Sequence, residues 1–129
     1  MSAPKKYLGS LFLLPCPISE EDFKAVIPEE VVKLAGTLRY FAVEDLKSAR
    51  RFLRRMDREF PIDDSKFFIL NKKTGAHQME EMLMPLLNGE NMAIISEAGC
   101  PGIADPGANL VDYAHQSNIK IRPLVGPSS

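Results

Sequence analysis

The sequence predicts an α/β domain: a mainly parallel five-stranded sheet with helices on both faces. Three observations lead there. Five short apolar runs, at residues 7–14, 37–43, 66–70, 92–95 and 119–125, have the length and the bounding turn residues of strands. Segments with apolar side chains at helical spacing fall between them, so strand and helix alternate, the pattern of crossover connections between parallel strands. The chain has 129 residues, 45% hydrophobic and 26% charged, enough for one domain with one core.

Bulk properties narrow the function classes. The formal net charge of -1 gives no overall electrostatic pull toward nucleic acid. No apolar run is long enough to span a bilayer, and the apolar stretch near the start is too short and lacks the small-residue cleavage pattern of a signal peptide. Cys16 and Cys100 are too few for a disulfide framework or a metal ligand set, so a reduced cytoplasmic protein is expected, without membrane association. His77 and His115 are isolated and read as surface histidines; no metal site is expected.

The elements follow in order. The first strand closes in the turn residues Pro15, Cys16, Pro17 and Ile18, and the glycine fingerprint of an ordinary dinucleotide-binding fold is missing there. Ser19 and Asp22 form a capping pair for a helical turn, and a second helical piece starts at Pro28, with Glu29 and Glu30 in its first turn, and stops at Gly36. Glu44 and Asp45 fall at the carboxyl end of the second strand, where an acidic pair serves either to cap the next helix and complement its dipole or to act in a site. The helix after them places Leu46, Ala49, Phe52, Leu53, Met56 and Phe60 on one face. Its other face carries Lys47, Arg50, Arg51, Arg54, Arg55 and Arg58, either a solvated surface or a grip for RNA phosphates. The third strand ends in the polar residues Asn71, Lys72, Lys73 and Thr74. Met79, Met82, Leu83, Leu86 and Leu87 then form an amphipathic stripe that reads as core, with Pro85 kinking the helix or marking its last turn. Leu110, Val111 and Ala114 give the last helix its buried side.

The most informative stretch is NMAIISEAGCPGIADPG at residues 91–107. An apolar strand stops in a small-residue loop from Ser96 to Ala104. Asp105 then reads as a helix N-cap, with Pro106 at the first helical position. In open α/β sheets ligands bind outside the carboxyl ends of the strands, and Gly99 and Gly102 allow a ligand to touch backbone. A purely structural strand-to-helix loop has similar ingredients. The spelling separates the two readings. SEAGCPGIADPG, followed by PLVGPSS, resembles the signature of the tetrapyrrole methylase superfamily, most closely its ribosomal-RNA ribose methyltransferase branch, with a loop of the form SDAGTPGISDPG and then PLPGPSA. Ser96, Ala98, Gly99, Pro101, Gly102, Ile103, Asp105, Pro106 and Gly107 match the first motif, and Leu124, Gly126, Pro127 and Ser128 the second. CPIS resembles TPIG, with Ser19 in place of the glycine, and VEDLKSARRFL resembles AEDTRHTRKLL, in which Glu44, Asp45, Arg50 and Leu53 coincide. The His- and Asn-containing polar stretch of the branch is reduced here to Asn71 and two lysines.

The resemblance implies that residues 1–129 are the N-terminal domain of a two-domain S-adenosylmethionine-dependent methyltransferase, the second domain lying beyond this chain and the cofactor in the cleft between them. It places the cofactor over Glu97, Ala98, Gly99, Gly102 and Ile103, with Pro17, Ser128 and Ser129 approaching it. It turns Glu44, Asp45 and Asn71 toward the methyl acceptor as candidate catalytic residues, with Glu44 or Asp45 as base. It favours rRNA ribose as acceptor, leaves a tetrapyrrole or another small molecule as the alternative, and implies a homodimer. A binding module that has kept the fold and lost the chemistry is a third reading, suggested by Pro15, Ser19, Glu97 and Cys100, where the chain departs from the family spelling.

Overall fold

The structure is a computed structural model and describes residues 7–16, 28–97 and 107–124, with the backbone alone at positions 15, 16, 96, 97 and 107. Five strands, β1 (Ser10–Cys16), β2 (Tyr40–Val43), β3 (Lys66–Ile69), β4 (Met92–Glu97) and β5 (Lys120–Pro123), form one sheet in the order β3-β2-β4-β1-β5. Every pairing is parallel, as the strand–helix alternation requires. Among the described residues the helices are α1 (Glu29–Thr37), α2 (Leu46–Met56), α3 (Ala76–Leu87) and α4 (Gly107–Gln116), with one 3₁₀ turn at Ile62–Asp64.

Side-chain alternation divides the core into two layers. Phe12, Leu14, Phe41, Val43, Ala93 and Ile95 point to one side, where Val31 and Ala35 of α1 and Ala49, Phe52 and Leu53 of α2 cover them. Leu11, Ala42, Met92 and Ile94 point to the other, under Met79, Met82, Leu83 and Leu86 of α3 and Leu110 and Ala114 of α4. The chain thus runs from β1 out to the β3 edge with its helices on one face, then returns through β4 to β5 with its helices on the other. Right-handed crossovers give this arrangement when the direction of travel reverses.

Several boundaries differ from the sequence reading. Gly36 does not stop α1, which continues through Thr37, where the Thr37 hydroxyl donates to the Leu34 carbonyl at 2.6 Å. Strand β2 therefore begins at Tyr40 and not at Thr37. Phe60 is buried but lies beyond the end of α2, brought back by a turn in which its N–H donates to the Asp57 carbonyl at 3.0 Å. Pro85 sits in the last turn of α3, and Leu87 is exposed rather than buried. β4 runs two residues further than the apolar run, through Ser96 and Glu97, because β1 continues alongside as its partner to Cys16. Only Lys120–Pro123 of the last apolar run pair as strand; Ile119 is buried just before it. The Ser19–Asp22 capping pair and the Asp105–Pro106 helix start lie outside the described residues.

Candidate functional site

The carboxyl edge of the sheet gathers the chemistry-bearing positions, and the strand order arranges them in a row. Asn71 follows β3 at the outer edge, Glu44 and Asp45 follow β2, Glu97 ends β4, and Cys16 ends β1 opposite Glu97. With strands about 4.8 Å apart, the acidic pair leaves from the strand next to β4 and Asn71 from one strand beyond, about 10 Å from it. β1 and β4 project together past Val43, which pairs with Ile95. From their ends the chain parts, toward α1 on one face and α4 on the other. Adjacent parallel strands whose connections leave to opposite faces define the crevice where α/β sheets bind ligands. Such a crevice suits a cofactor contacted through backbone groups. Of the cofactor-binding candidates, Glu97 is placed by its backbone at this edge; Pro17, Ala98, Gly99, Gly102, Ile103, Ser128 and Ser129 lie outside the described residues.

The two members of the acidic pair differ. Asp45 is the N-cap of α2: its carboxylate accepts from the Ser48 N–H at 3.1 Å and from the Ser48 hydroxyl at 2.5 Å. The extended backbone at Asp45, φ -131° and ψ 118°, is the geometry that lets a cap side chain fold back onto the first turn. These bonds, the hydroxyl's first and the N–H's second, hold the carboxyl below its ordinary value. A carboxylate so held is a poor proton acceptor and a good helix anchor. Glu44 is exposed at the same strand end and takes no part in the cap.

Asn71 is fixed by its own turn. Its Oδ1 accepts from the Lys73 N–H at 2.8 Å, and its N–H donates to Thr74 Oγ1 at 2.8 Å. The Thr74 hydroxyl in turn donates to the Ile69 carbonyl at 3.2 Å. With the side-chain oxygen committed, the amide NH₂ of Asn71 is the group left to donate to a ligand. Ser48 and Thr74, which set the orientations of Asp45 and Asn71, are absent from the sequence-based candidates. The spacings Asp45-x-x-Ser48 and Asn71-x-x-Thr74 are the local signals that would have found them.

On the α3–α4 side, a cleft of about 370 Å³ lies beside the Asn71 turn, lined by Thr74, Ala76 and Met79 and by Asn109, Asp112, Tyr113 and Gln116 of α4. Among the described residues no group of three or more His, Cys, Asp or Glu side chains is placed to hold a metal ion. No helix among them is long and apolar enough to cross a membrane.

Comparison with known proteins agrees with the motif spelling. No protein-family model matches the chain. Individual proteins do: it is 30% identical over 119 residues to ribosomal RNA small subunit methyltransferase I of Escherichia coli O157:H7, covering 92% of this chain and 39% of that protein. The protein of the same name from Xylella fastidiosa is 28% identical over 129 residues, covering 100% of this chain and 43% of its own length. That from Synechocystis is 30% identical over 122 residues, 95% of this chain and 41% of its own. The chain spans about two fifths of the length of these relatives. Over nearly all of its length the chain is thus similar to proteins named ribosomal RNA small subunit methyltransferase I.

Proposed function

We propose that this chain is the N-terminal domain of an S-adenosylmethionine-dependent methyltransferase whose acceptor is a ribose 2'-hydroxyl of small-subunit ribosomal RNA. One observation carries the reading: the motif SEAGCPGIADPG begins in the last two residues of β4, beside the end of β1, in a chain whose relatives are named as rRNA methyltransferases.

Glu97 with Ala98, Gly99, Gly102 and Ile103 would hold the cofactor, with Pro17, Ser128 and Ser129 approaching from the neighbouring strand ends. When bound, the sulfonium supplies an activated methyl group and its leaving group. The protein's part is to align the acceptor oxygen with that methyl and to exclude water. A ribose hydroxyl is a weak nucleophile and needs a base. Of the two carboxylates next to β4, Asp45 is committed to Ser48, so Glu44 takes the proton and Asp45 holds the start of α2 in place. Asn71, one strand further out, donates its amide N–H groups to the acceptor nucleotide. The row Asn71, Glu44, Glu97 thus reads from acceptor to donor across three neighbouring strands. We extend the reading to a cytoplasmic homodimer, which sedimentation of the full-length protein would test.

The decisive assay incubates full-length protein with radiolabelled S-adenosylmethionine and either small ribosomal subunits or a tetrapyrrole. Label appearing in ribose is expected. Transfer to the tetrapyrrole alone, or cofactor binding without transfer to either acceptor, would refute the rRNA assignment. Glu44→Gln is expected to lower turnover by roughly 10²- to 10⁴-fold with cofactor affinity preserved; undiminished turnover removes the base role.

A further inference from the structure

We propose that the outer face of α2 is a docking surface for the phosphodiester backbone of RNA. It deepens the methyltransferase reading by naming where the substrate lies, and depends on that reading for the identity of the polyanion. Ala49, Phe52 and Leu53 bury one side of the helix, and the opposite side presents Lys47, Arg50, Arg51 and Arg54, all exposed, with Arg55 beside them. No carboxylate lies within Leu46–Met56, and the anion at its start, Asp45, is turned onto Ser48. Lys47 is close enough to Asp45 to add to the lowering of its pKa by Ser48, while Arg50, Arg51 and Arg54 take no part in that carboxylate's cap on Ser48. The chain as a whole has a net charge of -1, so this concentration of cations is particular to one helix and not a general basicity.

Geometry gives the patch a direction. α2 begins at the carboxyl edge, next to Glu44 and one strand from β4, and runs away from it along the covered face of the sheet. Cations four residues apart, Lys47 with Arg51 and Arg50 with Arg54, are separated by about 6 Å along the axis, a step suited to successive phosphates. Guanidinium groups bind phosphate oxygens in pairs, which suits arginine to this work. The cations run the length of the helix, from Lys47 beside the carboxyl edge to Arg58, which lies between Asp57 and Glu59 past the far end. Contacts of this kind hold the backbone and read no sequence, leaving base choice to the carboxyl-edge loops.

The test measures binding of the full-length protein to small-subunit rRNA by fluorescence anisotropy across a salt series. Arg51→Glu with Arg54→Glu is expected to weaken binding at least about tenfold, and to make the dependence of log K on log salt shallower by about 0.7 for each single-strand phosphate that is no longer neutralised. Arg51→Gln with Arg54→Gln should weaken binding less, in the same direction. Lys120→Glu with Arg122→Glu, an equal charge change on the far edge strand, should leave affinity within about twofold. Unchanged affinity in the Arg51/Arg54 variants, an equal weakening in the control, or preference for anionic lipid vesicles over RNA would overturn the proposal. Methyl transfer is read separately. RNA bound through α2 by a protein that transfers no methyl group keeps the surface and removes the enzyme reading; full transfer by the Arg51→Glu, Arg54→Glu protein does the reverse.

Discussion

Helices α2 and α3 both begin at the carboxyl edge, pack on opposite faces of the same sheet, and bury one apolar stripe each, yet their outward faces have little in common. The exposed residues of α2 are all cations, whereas those of α3 include Gln78, Glu80, Glu81 and Met84 and no lysine or arginine. The layers beneath differ too. The α1–α2 side is aromatic: Phe41 stacks on Phe67 at 5.4 Å and meets Phe60 edge-on at 5.8 Å. The α3 side is built on Met79, Met82 and Met92. The fold therefore sets what a helix must bury and leaves its other face to function. Rings have fewer ways to repack than thioethers, so the aromatic layer is expected to be the better-defined of the two.

Removing the core on each side gives the largest expected effect. Phe41→Ala should cost about 3–5 kcal/mol and Leu86→Ala about 2–5 kcal/mol, by urea unfolding. If the Leu86 variant proves the more damaged, the aromatic side is not the better-defined layer. The helix starts offer a smaller contrast, since α2 has the Asp45 cap whereas Gly75 at the start of α3 has no side chain to cap with and donates its N–H to Gln78 Oε1 at 2.8 Å. Because folding lowers the Asp45 pKa below its ordinary 3.8, the cap's contribution is complete above that value and is lost as pH falls through the lower, folded one. Asp45→Asn should remove that component of acid sensitivity, visible as a flatter stability curve below about pH 4. The least effect concerns charge alone. Lys47 and Arg51 repel at one helical turn; Arg51→Glu converts that pair, and its pairing with Arg55, to attraction. It should therefore stabilise by about 0.5–1 kcal/mol at low salt and by less at high salt. A variant that gains stability while losing RNA affinity would mark the arginine as held for binding.

Much of this was legible in the sequence because the relevant signals are local. Alternation of apolar runs with helical stripes fixed the fold class, and Met79, Met82, Leu83 and Leu86 are buried as their spacing requires. The capping alternative for Asp45 was also visible, since an acidic residue ahead of an apolar helical stripe is an N-cap signal. What local pattern could not supply was the strand order, which depends on which distant runs pair. Without it, the adjacency of β2 to β4, and so of Glu44 to Glu97, had no basis. Strand ends were misjudged for the same reason: Ser96 and Glu97 are not apolar and read as loop, yet a partner strand carries them as sheet. Gly36, with nothing within 4 Å of a Cβ built on it, sits in the helix with room to spare, so its identity signalled a stop that the packing never enforced.

The position of β1 bears on how the molecule is made. Its two neighbours are β4 and β5, far along the chain from it: Leu11 is aligned with Met92, and Ser10 with Lys120. β1 therefore stays without a sheet partner until Met92 and the residues after it have been made, and loops of this size must close before any of its ladder bonds form. Topologies dominated by such distant pairings fold slowly and expose aggregation-prone segments on the way. A chaperone holding Leu11, Phe12 and Leu14 during synthesis would answer a hazard created by strand order alone.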